Sequence, residues 1–333
     1  MNNIGILGSG TWGTALANLL ANSGHKVTLC SKFKEDSIRL QQTRIHPNLS
    51  DVILNETITF TSNPHEAILD KDIIVFAAPS IYIRESAKEV KGIIKPNQVI
   101  VNVSKGIEQN TLFTMSEVIK DELGEEYTVV SLSGPTHAEE VVKGLPTCIS
   151  ATCENREARK FIQSVFSYGQ FRVYTNSDPK GVELSAALKN IIALACGVSD
   201  GLGYGDNAKA ALITRGLFEI TNLGIRMGSD PLTFSGLSGL GDIVVTSISN
   251  HSRNHNAGVL LGKGYSLKET LEKVGMVVEG VNALDGAKAL MDKYHVEMPI
   301  VSAVYSIVKN GEPPLEVVEK LFERELIGEK TFK

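Results

Sequence analysis

Cysteine is scarce in this chain, with 4 among 333 residues. Cys30, Cys148, Cys153 and Cys196 show no paired spacing of the kind that metal ligands need, and three of them fall within apolar strand or helix patterns. We therefore expect neither a disulfide framework nor a metal centre. Buried free thiols are predicted instead, which fit the reducing cytoplasm.

The sequence also lacks blocks of one charge, since 33 Lys and Arg against 38 Asp and Glu give a net charge of −5. It has no basic run and no basic stripe with interleaved aromatic residues, which argues against nucleic acid as the main partner. A local basic pocket that binds a small anion is compatible with this charge balance.

Targeting and membrane signals are missing as well. The first residues carry no positively charged region, and the early apolar stretch is interrupted by glycines, so the sequence predicts neither a signal peptide nor a membrane span. Internal repeats and low-complexity segments are also absent. We expect a soluble cytoplasmic protein.

The first motif that is present is Gly-x-Gly-x-x-Gly, formed by Gly8, Gly10 and Gly13. It follows a strand pattern over residues 3–7 and opens a helical pattern over residues 12–22. Gly8 would allow a tight turn, and Gly10 would let the phosphates approach the backbone closely. Gly13 would let the helix pack against the strand. The N-H groups at the start of the helix attract an anion. The motif predicts dinucleotide binding. A purely structural turn is the alternative.

Strand and helix patterns alternate through the first half of the chain, and the helical period takes over after Pro179. Because 333 residues are long for one core, two domains are expected. We predict an α/β protein: a Rossmann-type doubly wound sheet with a mixed extension in residues 1–178, then an all-helical substrate domain in residues 179–333. The predicted strands lie near 3–7, 26–30, 57–60, 72–77, 98–103, 127–132, 147–152 and 171–174, and the later helices near 181–198, 207–227, 232–236, 239–249, 254–262, 266–273, 279–293, 299–309 and 314–325.

Polar residues follow several of the predicted buried strands. Ligands of open α/β sheets bind outside the carboxyl ends of the strands. Lys105 comes directly after such a strand and before a glycine, so we expect it to bind a ligand rather than to be a solvated surface charge. The segment 133–136, Ser-Gly-Pro-Thr, follows the next strand, and a plain turn is its alternative.

Lys189 is the most unusual residue chemically, because the helix pattern around it is almost wholly apolar. At helical spacing it shares a face with Ser185, Ala186, Ala193 and Cys196, whose small side chains leave room beside it. Burial lowers the pKa of a lysine in general, so such a side chain can exchange a proton near neutral pH. The alternative is an ammonium that extends to the surface.

Two loops downstream concentrate glycine and polar groups. Asp242 ends one of them and Ser252 lies in the other, and each could be a simple helix N-cap. Arg253 sits amid Ser, Asn and His, and its planar guanidinium suits a phosphate. His251 and His255 have no carboxylate or cysteine at a convincing metal spacing, so no metal is assigned to them.

The end of the second strand bears on the choice of dinucleotide. An enzyme specific for NAD presents Asp or Glu to the ribose 2′-hydroxyl at this point, whereas this chain offers Ser31, Lys32 and Lys34. A cation there tolerates a 2′-phosphate, so NADPH is expected to be accepted well, with NADH as the alternative.

Several motifs occur in a fixed order, among them Gly-x-Gly-Thr-Trp-Gly, Ser-Lys-Gly-Ile at 104–107, Leu-Lys-Asn at 188–190 and Ser-Arg-Asn at 252–254. Together with 133–136, Gly-Leu-Gly-Asp ending at Asp242 and Val-Val-Glu-Gly at 277–280, they make the chain resemble bacterial NAD(P)-dependent glycerol-3-phosphate dehydrogenase over essentially its whole length. The resemblance implies reversible hydride transfer between dihydroxyacetone phosphate and sn-glycerol 3-phosphate, physiologically the supply of glycerol 3-phosphate for glycerophospholipid synthesis.

The resemblance also implies residue roles. Lys189 matches the family's proton acceptor, held by Asp242, while Lys105 would help to neutralise charge on oxygen, and Arg253 with Asn254 would grip the phosphate. Two departures are Ser9, where alanine is common in the family, and the pair His255 and Asn256, which replaces more basic residues and so removes a neighbouring positive charge that would favour the phosphate or the cofactor. The substrate positions are Lys105, Gly134, Thr136, Lys189, Asp242, Ser252, Arg253 and Asn254, and the cofactor positions are Gly8, Gly10, Thr11, Trp12, Gly13, Lys32, Lys105, Ala138, Arg253, Val277 and Glu279.

Two rival functions stay open at this point. Another two-domain dehydrogenase acting on a β-hydroxy acid would share the fold and an active lysine. A cofactor-sensing module with a degenerate site would bind the dinucleotide without turnover, although the intact Lys189 and Asp242 argue against it. The sequence leaves the oligomeric state open, a homodimer being one option.

Overall fold

We describe a computed structural model of the chain, which covers residues 1–326, 328 and 329. The chain divides into two compact units. The sheet unit comprises Met1–Glu108 and Phe113–Pro179, and the helical unit comprises Gln109–Leu112 and the chain from Lys180 onward. The short segment 109–112 thus groups with the helical unit, although the chain on both sides of it belongs to the sheet.

The sheet unit is built on one sheet of eight strands in the order β3-β2-β1-β4-β5-β6-β7-β8. Neighbouring strands are parallel except β6 and β7, which pair antiparallel, so the predicted doubly wound sheet with a mixed extension is confirmed. The strands are β1 (Asn3–Leu7), β2 (Lys26–Cys30), β3 (Thr59–Thr61), β4 (Ile73–Phe76), β5 (Val99–Asn102), β6 (Val129–Ser133), β7 (Thr147–Thr152) and β8 (Phe171–Asn176).

Helices cover both faces of this sheet, which explains why its central strands read as continuous apolar runs. Buried side chains of α1 and α7 form the core on one face, and those of α4 and α5 form it on the other. The helices are α1 (Thr11–Asn22), α2 (Lys34–Thr43), α3 (Pro64–Ile68), α4 (Ile83–Val90), α5 (Met115–Leu123), α6 (Ala138–Val141) and α7 (Arg156–Phe166).

The strand order reverses beside β1, which creates the crevice where such sheets bind ligands. Leu7 at the end of β1 is in register with Cys30 at the end of β2 and with Phe76 at the end of β4. The loops that leave these three strands therefore emerge at the same edge.

The helical unit is built around a long apolar helix, α8, whose residues from Gly181 to Ser199 are buried. By length and composition α8 could cross a membrane, but its apolar window is entirely buried within the protein, as in core helices generally. The other helices are α9 (Asp206–Arg226), α10 (Pro231–Phe234), α11 (Asp242–Ile248), α12 (Arg253–Gly262), α13 (Leu267–Val274), α14 (Glu279–Tyr294), α15 (Pro299–Tyr305) and α16 (Pro314–Phe322), and α8 itself is Pro179–Gly201.

Two helices expected to be continuous are interrupted. The segment predicted at 239–249 is a π-helical turn, Leu237–Gly241, followed by α11, and the segment predicted at 299–309 is α15 followed by a second π turn, Ser306–Asn310. Glycines allow the first interruption: a side chain at Gly239 would collide with the Phe234 carbonyl. A π turn contains one more residue than an α-helical turn, so it changes the direction in which the side chains after it point.

Helices α8 and α12 cross with their main chains in contact. A methyl group added at Gly197 would collide with the His255 carbonyl, and one at Gly258 would collide with the Leu194 carbonyl. Gly201 and Gly262 repeat the arrangement one turn further along. Since only glycine permits this approach, the crossing fixes the first turn of α12 against α8.

Candidate active site

The glycine loop between β1 and α1 has two positions that only glycine can occupy. Gly8 has φ +120°, and a side-chain carbon there would lie 2.7 Å from the Ala77 carbonyl oxygen. A side-chain carbon at Gly13 would collide with the Gly8 carbonyl and lie 3.2 Å from the Ala77 Cβ. These two glycines therefore bring β1, β4 and α1 together.

Gly10 differs, because its conformation suits any residue. It precedes α1 with φ −65° and ψ 173°, and a side-chain carbon there would meet none of the described atoms within 4 Å. That space lies in front of the helix N-terminus, where the N-H groups attract an anion. The protein itself thus gives no packing reason for glycine at this position, whereas a pyrophosphate against the loop does, so these residues fit a dinucleotide.

Two residues of the segment after α2 form hydrogen bonds with the glycine loop and the start of α1. The Asn48 side-chain amide donates to Thr11 Oγ1 at 3.0 Å, and the His46 side chain forms a hydrogen bond with the Ser9 backbone. Burial lowers the pKa of His46, which favours the neutral ring. Trp12 is partly buried and packs against the core. Neither His46 nor Asn48 was among the predicted site residues, since their contacts join segments far apart in sequence.

Three predicted site residues converge after β5 and β6. The Gly134 carbonyl accepts hydrogen bonds from Lys105 Nζ at 3.2 Å and from Thr136 Oγ1 at 3.1 Å. Gly134 has φ +153°, and a side-chain carbon there would lie 3.1 Å from the Ile149 Cα. Ala138 follows as the buried first residue of α6. The Lys105 ammonium therefore lies beside the loop that follows β6.

Lys32 lies just past β2 and is exposed. Its Nζ lies 3.7 Å from Glu85 Oε1 and 5.3 Å from the centre of the Tyr82 ring. Both partners belong to the segment that follows β4. The predicted cation at the β2 exit is therefore present, together with a carboxylate that the sequence analysis did not associate with it.

Lys189 lies within α8 and is 6% exposed, so its ammonium does not extend into solvent. Its Nζ donates to Asp242 Oδ1 at 2.7 Å and to Thr246 Oγ1 at 2.5 Å. The Thr246 hydroxyl in turn lies 3.3 Å from the same carboxylate oxygen. A buried ammonium needs a charged and hydrogen-bonded partner, and Asp242, itself 1% exposed, provides one.

The turn preceding α11 produces this pair. Asp242 is the first residue of α11, not its cap, and Thr246 follows one helical turn later on the same face. The sequence analysis missed Thr246, although its spacing of four from Asp242 is a signal that could have found it. A helix face carrying an acid and a hydroxyl at this spacing is suited to hold one cation.

Asn254 links three helices of the helical unit. Its side-chain amide donates to Asn190 Oδ1 at 2.9 Å, and its carbonyl oxygen accepts from the Gly280 backbone N-H at 2.8 Å. Asn190 directly follows Lys189 on α8. Asn254 therefore fixes the start of α12 and the start of α14 next to the buried lysine.

The residues around Asn254 have different environments. Ser252 is an N-cap, as the alternative interpretation had it, because its hydroxyl accepts from the His255 backbone N-H at 3.2 Å. Arg253 is exposed at the first position of α12. The His255 ring is buried and its Nε2 lies 2.8 Å from Asp200 Oδ2, which also accepts from Lys209 Nζ at 2.9 Å. His255 thus binds a carboxylate of its own unit, leaving Arg253 as the cation that this turn presents to solvent.

Val277 and Glu279 flank the start of α14 and are partly exposed. Glu279 is its first helical residue and accepts from the Asn282 side chain at 3.5 Å. Among the residues that the structure describes, no three His, Cys, Asp or Glu side chains are arranged to hold a metal ion. The four cysteines are free thiols, of which Cys148 is partly exposed and the others are buried.

The predicted residues thus form two groups, each within its own unit. The sheet unit holds its group at and beyond the carboxyl ends of the strands. In the helical unit, Asp242 contacts Lys189 directly and Asn254 contacts the adjacent Asn190, while the remaining residues lie at the starts of α12 and α14. The first group is Gly8, Gly10, Thr11, Trp12, Gly13, Lys32, Lys105, Gly134, Thr136 and Ala138, and the second is Lys189, Asp242, Ser252, Arg253, Asn254, Val277 and Glu279.

Comparison with known proteins places both halves of the chain in one family. Residues 3–159 match the model of the NAD-dependent glycerol-3-phosphate dehydrogenase N-terminus, and residues 178–319 match that of the C-terminus. These matches cover nearly all of the chain.

Individual proteins agree with the family models. The chain is 51% identical to "Glycerol-3-phosphate dehydrogenase [NAD(P)+] 2" of Lactobacillus delbrueckii subsp. bulgaricus, covering 99% of this chain and 100% of the relative. It is 48% identical to the enzyme named glycerol-3-phosphate dehydrogenase [NAD(P)+] of Bacillus subtilis, covering 97% and 95%. The crystal structure of glycerol-3-phosphate dehydrogenase from Coxiella burnetii superposes with a TM-score of 0.93 at 36% identity, covering 97% of this chain and 99% of that one.

Proposed function

The chain belongs to the NAD-dependent glycerol-3-phosphate dehydrogenase family, and from this membership we propose that it interconverts sn-glycerol 3-phosphate and dihydroxyacetone phosphate with NAD(P)(H) as cofactor. In the cell the reaction runs as reduction and supplies glycerol 3-phosphate for glycerophospholipid synthesis. The observation that carries this proposal is the buried ion pair of Lys189 with Asp242, because secondary alcohol oxidation needs a group that takes up the hydroxyl proton.

The pair explains how one lysine serves both directions. During reduction, the Lys189 ammonium donates a proton to the substrate C2 oxygen as that oxygen gains charge, and during oxidation the neutral amine takes the hydroxyl proton back. Asp242 and Thr246 accept hydrogen bonds from the ammonium and hold it in one orientation. The dinucleotide, when bound, supplies or accepts the hydride at the same carbon.

The sheet unit supplies the residues for the dinucleotide. Gly8, Gly10 and Gly13 shape a loop that presents the N-terminus of α1 to the pyrophosphate. Lys32 provides a cation at the ribose end, which suits NADPH and tolerates NADH. Lys105, held by the Gly134 carbonyl, contributes positive charge for the substrate.

Residues in the first turn of α12 bind the substrate phosphate. Arg253 presents an exposed guanidinium at a helix N-terminus, where charge and helix dipole both favour an anion. Asn254 positions this turn through its bonds to Asn190 and Gly280. The phosphate grip orients the C2 carbon and so contributes to turnover as well as to binding.

A direct assay tests the function. Purified protein with dihydroxyacetone phosphate and NADPH or NADH should consume the reduced dinucleotide, measured by its absorbance, while unphosphorylated dihydroxyacetone and a panel of β-keto acids should support little turnover. Faster turnover of a β-keto acid would instead identify a dehydrogenase of the β-hydroxy acid class. Dinucleotide binding without turnover of any substrate would identify a sensor.

The protein is expected to act in the cytoplasm, without a metal, a membrane span or a nucleic acid partner. Four free thiols suit a reducing compartment. A homodimer is the assembly to test, and analytical ultracentrifugation at several protein concentrations would identify it. Activity that survives a chelator would confirm that no metal takes part.

A further inference from the structure

Three side chains meet where β2 and β4 leave the sheet. Lys32 follows β2, while Tyr82 and Glu85 belong to the segment after β4. The Lys32 ammonium lies 3.7 Å from the Glu85 carboxylate and 5.3 Å from the centre of the Tyr82 ring. The proposed function uses only the lysine of this group, and so leaves the carboxylate without a role.

Glu85 is held at this edge by its neighbour in α4. The Arg84 guanidinium donates to both Glu108 carboxylate oxygens, at 2.7 and 2.8 Å, and to Asp121 at 2.6 Å. This network fixes the first turn of α4, of which Glu85 is part. The N-terminus of a helix also favours a carboxylate. A negative charge is therefore built in beside the cation that would receive a 2′-phosphate.

We propose that Glu85 determines cofactor specificity by weakening the binding of 2′-phosphorylated dinucleotides. The inference rests on the proposed cofactor role of the sheet unit. A 2′-phosphate has a charge of about −1.5 to −2 at neutral pH. To bind the Lys32 ammonium it must displace the Glu85 carboxylate from its ion pair, and the same carboxylate repels it. A 2′-hydroxyl is neutral and meets neither penalty. The Tyr82 ring lies beside the same ammonium and favours its position at this edge.

Removal of the charge at Glu85 tests this directly. Glu85→Gln should tighten binding of 2′-phospho-ADP-ribose about two- to fivefold at low salt and leave ADP-ribose binding unchanged, since an exposed ion pair has an effect of this order. Both ligands lack nicotinamide and cannot react, so titration calorimetry measures binding of the adenosine ribose separately from turnover. High salt should shrink the difference. Glu89→Gln, an exposed carboxylate one turn later in α4, is the matched control.

Lys32→Met and the double variant complete the set. In the Lys32→Met background, Glu85→Gln should increase the affinity for 2′-phospho-ADP-ribose by less than half as much as it does in wild type. The reason is that no ammonium remains for the phosphate and the carboxylate to compete for. Equal tightening of both ligands by Glu85→Gln, or the same change in Glu89→Gln, would overturn the inference. If wild-type protein reduces dihydroxyacetone phosphate but Glu85→Gln leaves the ligand ratio unchanged, only the role of Glu85 is wrong. Wild-type protein that binds neither ligand would contradict the proposed cofactor site too.

Discussion

Glu219 gives the helical unit a predictable dependence of stability on pH. Its carboxylate, in the middle of α9, is 6% exposed and accepts the Ile300 N-H at 2.8 and 3.1 Å and the Val301 N-H at 3.3 Å, at the start of α15. Burial raises its pKa from 4.5 to about 7, although these N-H groups and the nearby Arg215 and Arg324 lower it. The folded protein therefore keeps a proton that the unfolded chain releases near pH 4.5.

The sign and the size follow from this difference. Between the two pKa values the unfolded chain binds fewer protons, so the free energy of unfolding falls as pH rises through this window and levels off above pH 7. The difference between 7 and 4.5 is 2.5 pH units. At about 1.4 kcal/mol per unit, Glu219 costs the folded state up to about 3 kcal/mol at pH 8.

Glu219→Gln should remove this cost. An amide has nearly the shape of the protonated carboxyl and can still accept from Ile300, so the variant should gain about 2.5 kcal/mol of stability relative to wild type as pH rises from 5 to 8. Urea unfolding at a series of pH values measures the difference, and all other titrating groups cancel in it. Glu272→Gln, an exposed carboxylate of α13, controls for the loss of one charge. If wild type and Glu219→Gln change in stability in parallel with pH, or if Glu219→Gln becomes less stable than wild type as pH rises, the start of α15 holds Glu219 as an anion. The reasoning would then be wrong.

Three further predictions concern the two groups of site residues. Lys189→Met should lower turnover by about 10²- to 10⁴-fold while NADPH binding, followed by fluorescence, stays nearly unchanged; near-normal turnover would reduce Lys189 to a packing residue. Arg253→Ala should cost about 2 to 5 kcal/mol in kcat/KM for dihydroxyacetone phosphate and narrow the preference over dihydroxyacetone, and an unchanged kcat/KM would place the phosphate elsewhere. Gly10→Ala should leave the free energy of unfolding within about 0.5 kcal/mol, because the added methyl meets no described atom, but weaken dinucleotide binding about tenfold or more. Dinucleotide affinity that survives this change would mean that the pyrophosphate does not approach Gly10.

The sheet was predictable because its signals are local. Short, largely apolar runs bounded by turns indicate most of the strands, although β3 has only three residues, and the glycine motif identifies the crevice beside β1. The antiparallel pairing of β6 with β7 was indicated only as a mixed extension, since pairing direction depends on contacts between segments and not on the residues within a strand.

The site was predictable where one residue conflicts with its surroundings. A lysine inside an apolar helix requires a partner, and the family resemblance named Asp242, which lies 2.7 Å from it. The burial of His255 against Asp200 was not predictable, because nothing near His255 in the sequence distinguishes a ring facing the substrate from one facing α8. The contact between Glu85 and Lys32 was not predictable either, because the two residues follow different strands.

The glycine crossing of α8 and α12 limits how the enzyme can be redesigned. Side chains can exchange bulk with their neighbours, so an altered core is often rescued by second substitutions. Two main chains in contact have no such freedom, so the backbone of α8 and that of the first turn of α12 keep a spacing set by backbone dimensions. If Lys189 and Arg253 have the roles proposed above, a substrate whose phosphate lies one carbon further from the reacting carbon would have to be accommodated by the exposed Arg253 side chain, because these helices cannot move apart.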